Sequence, residues 1–251
     1  MLLLALLLAV PWPGPDSLQD LALPKAAAGR TRVVIDAGHG APGNDGNHGC
    51  HCQLEREVTL DAADRLAAAL RRLGRFAVFR TRVGKARPEY RARIRAAEAF
   101  APAAVISLHT DVRGEAAWWS PDGVQQCLTS EAAPGFSVLW SDDGPPDVVR
   151  ARERLGRALG RRLREAGFIA YRGDDYDGLY RRDTDEPGGW IDVHQPGSRI
   201  FFLHASELPT VIIELHHALD PREVARWKEP QTHHAFARAV AAALLDLRGG
   251  K

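Results

Sequence analysis

The apolar positions of this chain fall into short runs that break off into glycine or polar residues. Thr31–Asp36 (TRVVID) is a β-branched run ending in Asp-Ala-Gly-His-Gly, the pattern of a buried strand that enters a glycine loop. Residues 41–53, rich in Gly, Asn, His and Cys, form a loop. A helical period starts at Glu55 and puts Val58, Ala62, Leu66, Ala69, Leu70 and Leu73 on one face, with Gly74 placed to end the helix. Phe76–Thr81 is the next strand. Pro88 opens a helix that runs to about Phe100, with Tyr90, Ile94 and Ala97 inward. Ala104–Leu108 (AVISL) is a third strand, and it delivers His109 at its C-terminal end.

Strand, helix, strand, helix, strand in that order implies right-handed crossovers and a mostly parallel sheet. Gly123–Leu128 and Phe136–Trp140 have strand character and can form a hairpin. Asp147 is placed to cap a long helix through Ala166, closed by Gly167. Residues 173–198 carry no period and predict a long loop, a feature that in compact domains is either functional or disordered. Ile200–Leu203 and Thr210–Leu215 (TVIIEL) predict late strands, and Thr232–Leu247 an amphipathic helix. The pattern contains no repeat and no linker. It predicts one α/β domain over 31–248, a mainly parallel twisted sheet of about six strands flanked by helices on both faces.

Composition agrees with a globular domain: 251 residues, 45% hydrophobic and 26% charged. The formal net charge of +1 excludes a chain that coats nucleic acid through bulk basicity. Leu2–Val10 is an unbroken apolar run, too short for a bilayer span of about 20 residues but suited to the core of a signal peptide, although no Lys or Arg precedes it. Residues 1–30 are therefore expected to be signal peptide and leader, and the protein periplasmic or secreted. The bland alternative is a disordered apolar tail. Of the three cysteines, Cys50 and Cys52 stand too close for a relaxed bridge to each other. In an exported protein one of them is expected to pair with Cys127. A metal site built on Cys50, Cys52, His48 and His51 lacks an obvious closed set of four ligands.

Four polar residues stand out by placement. His39 follows the first strand, Glu55 opens the first helix, His109 ends the third strand and Glu214 ends the apolar run TVIIEL. In a parallel sheet these positions converge on one edge. Two imidazoles and a carboxylate form a catalytic-type zinc set that leaves a position for water. A further carboxylate beside that water can take its proton and pass it to a leaving amine. Each residue also has an ordinary reading: a hydrogen-bonded histidine, a glutamate favoured by the helix dipole, or, for Glu214, a fourth ligand or an ion-pair partner.

The stretches VVIDAGHGAPGNDG, LEREVTL, VISLHTD and PTVIIEL, in that order, resemble the zinc-dependent N-acetylmuramoyl-L-alanine amidases of the type-3 amidase family. Thr81-Arg82, Arg93 and Arg172-Gly173 also match the pattern. The resemblance implies Zn2+ held by His39, Glu55 and His109, and Glu214 as the catalytic carboxylate. It implies hydrolysis of the amide between the lactyl group of N-acetylmuramic acid and L-alanine of the peptidoglycan stem peptide. No nucleic-acid partner and no integral membrane span are expected.

The sequence departs from the family at several places. His216-His217 stands where Gly-Phe is common, Asp111 where Asn is usual, and His204 where Arg is common. These positions put substrate contacts in question more than the metal set. The acidic residues of 173–198 read as a calcium-like or regulatory loop over the cleft or, more simply, as a solvated acidic loop. Two other functions stay open at this stage. One is a carboxypeptidase-like zinc peptidase acting on wall peptides, which needs an arginine for the substrate's terminal carboxylate. The other is a non-catalytic wall-binding module, against which the presence of all four site residues argues.

Overall fold

The computed structural model describes residues 18–24 and 29–249. The run Leu2–Val10, on which the expected leader rests, lies outside the described residues. The elements in chain order are β1 (Thr31–Ala37), α1 (Glu55–Arg72), β2 (Phe76–Arg80), α2 (Tyr90–Phe100), β3 (Ala104–Asp111), β4 (Ala117–Trp119), β5 (Cys127–Thr129), β6 (Ser137–Trp140), α3 (Pro146–Glu165), β7 (Tyr180–Arg182), β8 (Gly189–Asp192), α4 (Phe201–His204), β9 (Thr210–His217), α5 (Pro221–Arg226) and α6 (Pro230–Gly249). No helix among the described residues is long and apolar enough to cross a membrane.

Seven strands form the main sheet in the order β2-β1-β3-β9-β6-β8-β7. The half built from β2, β1, β3 and β9 is parallel throughout. The other half is mixed: β6 runs antiparallel to β9, β8 parallel to β6, and β7 antiparallel to β8. Val33, Ile35, Ile106, Leu108, Val211 and Ile213 pack in the large core with α1, α3 and α6. Val34 and Val105, on the opposite face, meet Ile94 and Ala97 of α2 and Phe202 of α4. Central strands covered on both faces explain why β1, β3 and β9 read as continuous apolar runs rather than alternating ones. Parallel β1, β3 and β9 carry their C-terminal ends, and with them the polar positions, to one edge of the sheet.

The structure corrects four expectations. Ile200–Leu203 forms the helical turn α4, whose Phe202 and Leu203 enter two separate apolar clusters; a four-residue apolar run does not distinguish strand from helix. Gly123–Leu128 and Phe136–Trp140 do not pair with each other. Only the end of the first run is a strand, β5, and it pairs with β4 in a small separate sheet, whereas β6 joins the main sheet between β9 and β8. Residues 173–198 are not a structureless loop, because they contain β7 and β8. Their acidic residues are also not merely solvated. Asp183 and Glu186 are buried, and they bind Arg157 at 2.7 Å and Arg164 at 2.7 Å on α3. Charged side chains at that spacing gave no sign that their partners lay on a helix earlier in the chain.

Cys52 is bonded to Cys127, and Cys50 is a buried free thiol. The bridge ties the 41–54 loop to β5. Trp119 of β4 adds a hydrogen bond from Nε1 to the Cys50 carbonyl at 2.6 Å. Leu18, Leu21 and Leu23 pack against the large core, and Gln19 N–H donates to the Ala166 carbonyl.

α3 lies close to the sheet because it carries glycine where it crosses Trp140. A Cβ at Gly156 would sit 2.6 Å from Trp140 Cε3. We predict that Gly156→Ala destabilises the fold by about 1–3 kcal/mol through overpacking, although alanine gains up to about 1 kcal/mol in helix propensity. Thermal unfolding is the measurement. A raised midpoint would show that the helix can move away from the sheet without cost.

Candidate active site

The four residues singled out by placement lie together at the C-terminal edge of the sheet. Donor atoms of His39, Glu55 and His109 all lie within 4.8 Å of one another. Glu55 Oε2 is 3.1 Å from His39 Nε2, and Glu55 Oε1 is 3.2 Å from His109 Nδ1. His109 and Glu214 are direct neighbours across the parallel β3–β9 ladder.

The local backbone is built for this approach. His39 takes a left-handed conformation, φ 58°, uncommon for a non-glycine residue and kept only where surroundings enforce it. Here the enforcement is visible, since Arg93 Nη2 donates to the His39 carbonyl at 2.7 Å and Nη1 to the Ala37 carbonyl at 2.9 Å. Gly38 leaves room for the second imidazole, because a Cβ there would lie 2.5 Å from His109 Nε2. Gly46 does the same for the carboxylate, with a Cβ position 2.5 Å from Glu55 Oε2.

Glu55 is 2% exposed and opens α1. Its Oε2 accepts from Asn47 N at 3.0 Å and Nδ2 at 2.8 Å, and its Oε1 accepts from Thr110 N at 3.0 Å. Burial pushes its pKa up, but the hydrogen bonds and charges of His109 and His39 prevail and hold it well below the ordinary carboxylate range. His39 shows the reciprocal effect. Burial alone lowers its pKa, and the Glu55 carboxylate together with Asn44 raises it above the ordinary imidazole value.

The donor set fits a divalent cation. Asn44 Oδ1 accepts from both His39 Nδ1 at 2.6 Å and Gly46 N at 3.2 Å, which fixes Nδ1 as the protonated nitrogen. In the neutral ring the Nε2 lone pair then points at the Glu55 carboxylate. Two lone pairs face each other there unless a proton or a metal cation stands between them, and the raised His39 pKa is the same attraction expressed for a proton. Outer partners such as Asn44 for His39 and Asn47 for Glu55 are the kind that orient metal ligands.

Glu214 lies beside this set in a different environment. Its Oε2 is buried and has no hydrogen-bond partner. Burial raises its pKa far above the ordinary value, the charges of Asp111 and Glu55 raise it further, and Arg113 opposes them. Asp111 is fixed by Arg113 Nε at 3.0 Å and by the Tyr176 hydroxyl. The Arg113 guanidinium, fully buried, stacks 3.9 Å above the Tyr171 ring. This Asp111–Arg113–Tyr176 group escaped the sequence reading, and only Asp111 had been marked, as a departure from a pattern. Asp36 was also missed. It is buried under the glycine loop, where Ser107 Oγ at 2.6 Å, Thr81 Oγ1 and Arg93 Nη1 at 3.3 Å bind it. An aspartate ending a buried apolar strand was the available signal.

The remaining departures have structural roles. His216 and His217 are buried. His216 packs on the Trp227 ring at 5.7 Å, and burial pushes its pKa down to about 4. The His217 N–H donates to Glu223 Oε2 at 2.7 Å. β9 slips by one residue against β3 at this point, pairing His217 with Asp111. His204 is exposed at the end of α4, its ring against Phe201.

Comparison with known proteins agrees with this fold. No curated protein matches the sequence. Solved structures share the fold. Ami1, an N-acetylmuramyl-L-alanine amidase from Mycobacterium smegmatis, superposes with TM-score 0.65 at 20% identity, covering 90% of this chain and 100% of its own. The N-acetylmuramoyl-L-alanine amidase of Clostridium difficile 630 gives 0.64 at 16% identity over 88% and 98%. AmiC2 of Nostoc punctiforme, also an N-acetylmuramoyl-L-alanine amidase, gives 0.61 at 20% identity over 89% and 100%. The sequence profile of the N-acetylmuramoyl-L-alanine amidases matches residues 33–246, and the chain belongs to that family.

Proposed function

We propose that this amidase is zinc-dependent, that it cleaves the bond between N-acetylmuramic acid and L-alanine in peptidoglycan outside the cytoplasm, and that His39, Glu55, His109 and Glu214 carry the reaction. The observation that supports this reading best is a buried carboxylate set between two imidazoles, with a second carboxylate, one oxygen of it unpartnered, one strand away. His39, Glu55 and His109 would hold the zinc, with Asn44 and Asn47 orienting them. When bound, zinc polarises the amide carbonyl and acidifies water.

The chain's own residues supply the rest. Amide hydrolysis needs a proton taken from the attacking water and a proton given to the departing nitrogen. A cation held by His39, Glu55 and His109 would oppose the effect of burial and favour the ionised form of Glu214, whose Oε2 would take the first proton and return it as the second, with no hydrogen bond of the fold occupying that oxygen. A carboxylate in that role contributes about 10²–10⁴-fold. Val211, Ile212 and Ile213, all buried in β9, hold Glu214 rigidly. Arg113 and Tyr176 keep Asp111 in place beside it.

The peptidase alternative is separated by products. Digestion of purified sacculi should release intact stem peptides with a free N-terminal alanine; release of terminal amino acids alone would select the peptidase. Site variants test the roles. His39→Ala and His109→Ala should strip most zinc and most activity, read by elemental analysis and turnover, and full zinc occupancy in either would show that it is not a ligand. Glu214→Gln should keep zinc and fold while losing at least about a hundredfold in turnover. Lost zinc would make Glu214 a ligand, and near-normal rates would remove it from the reaction. The extracytoplasmic location rests on Leu2–Val10 and on where such a substrate lies. Fractionation of expressing cells should find the protein outside the cytosol, and a full-length chain found only in the cytosol would overturn that part of the proposal.

A further inference from the structure

Beside the metal-binding loop, on the side away from β9, lies a cavity of about 410 Å³ between α1 and the β2–α2 connection. Gly40, the residue after His39, lines it. Four cationic side chains line it as well, Arg56, Arg82, Lys85 and Arg87, against one carboxylate, Glu57. The charges are incompletely balanced. Arg56 and Arg87 share a single carboxylate, Asp45, at 3.0 and 2.5 Å, and Arg56 lies 3.7 Å from Glu57. Arg82 is 4% exposed, and its donors go to the carbonyls of Ala37, Gly38 and Arg56 and to Thr59 Oγ1. Among the described residues no carboxylate lies within ion-pair distance of Arg82 or Lys85, so the cavity keeps a positive surplus one residue from the proposed ligand His39.

A surplus of this kind, in a recess large enough for a few side chains, suits an anion. The other flank of the site differs in character. There Tyr171, Tyr176 and Trp190 are buried in an apolar cluster with Leu139, Leu203 and Ile212, and Tyr180 packs against it. Of the two halves of the substrate, the sugar beside the scissile amide is uncharged and the peptide carries the free carboxylates.

We propose that the recess between Gly40, Arg56, Lys85 and Arg87 is the subsite for the acidic stem peptide and makes the enzyme select stems with free carboxylates over amidated ones. The proposal deepens the amidase reading and rests on it. An extended peptide advances about 3.3–3.6 Å per residue, so a carboxylate one or two residues beyond the scissile alanine enters a recess that begins at Gly40. Arg82 sets a fixed positive background behind it, and Lys85 and Arg87 at the rim make the contacts.

The test compares purified wild type with Lys85→Glu and Arg87→Gln on two synthetic muramyl tripeptides, one with free stem carboxylates and one with those groups amidated. Wild type should favour the acidic substrate in kcat/KM by about tenfold at low salt, and rising ionic strength should erode the preference. Lys85→Glu, at an exposed position outside any ion pair among the described residues, should abolish the preference through KM. Arg87→Lys should retain most of it, whereas Arg87→Gln should not. An unchanged preference in Lys85→Glu, or equal losses on both substrates in every variant, would overturn the proposal. If wild type cleaves neither substrate nor sacculi, it is the amidase reading that fails.

Discussion

A buried carboxylate between two imidazoles is the constraint around which the active edge is organised. Glu55 is almost fully removed from water, and an isolated ionised carboxylate in that position is very costly. The fold offsets the cost with three N–H donors from Asn47 and Thr110 and with the two histidines. Those partners come from the loop after β1 and from the end of β3, and Glu55 itself opens α1, so three segments meet at one carboxylate. Holding Glu55 therefore fixes the relative position of all three. A divalent cation would complete the arrangement, because it would let the imidazole lone pairs and the carboxylate face one centre without protons between them.

Much of this edge was legible in the sequence because parallel-sheet topology is legible. Buried runs ending in Asp-Ala-Gly-His, Ser-Leu-His and Ile-Ile-Glu carry their polar residues to the C-terminal edge whatever the details of the helices. The helical period of α1 fixed Glu55 at that helix's first position. The outlying half was harder for a physical reason. β7 and β8 are three and four residues long, held by Trp190 packing and by ion pairs to α3. Nothing in a period-2 or period-3.6 pattern records a contact of that type. α4 failed for a related reason: Ile200–Leu203 is apolar enough for a strand, and only its two-sided burial makes it a helical turn. Asp36 and the Asp111–Arg113–Tyr176 group were hidden because long-range hydrogen bonds leave no local trace.

The two glutamates of the site are treated in opposite ways. Glu55 is surrounded by donors and held ionised; Glu214 is half-buried, with one buried oxygen unpartnered and two carboxylates nearby, which raises its pKa. Environments that drive two like groups apart are how one site supplies a permanent anion and a group that exchanges protons. An unpartnered buried polar atom costs about 1–3 kcal/mol. That cost persists in a fold only where the surrounding packing holds the group in place, and β9, buried along Val211–Ile213, supplies such packing.

The remaining requirement is that the glycine loop not move. It carries His39, and its many glycines make its ordering entropically expensive. The fold meets this from outside the cleft rather than from within it. Arg93 grips the His39 carbonyl from α2, Arg82 grips the Gly38 carbonyl from the end of β2, and the Cys52–Cys127 bond anchors the far end of the loop to β5. Each fastening acts on main chain or on a cystine, and none places its own polar group between His39 and His109. The donor atoms are thus positioned by groups that do not compete for what they bind. A site fixed in this way loses little entropy when ligand and substrate arrive, because the ordering has been completed during folding.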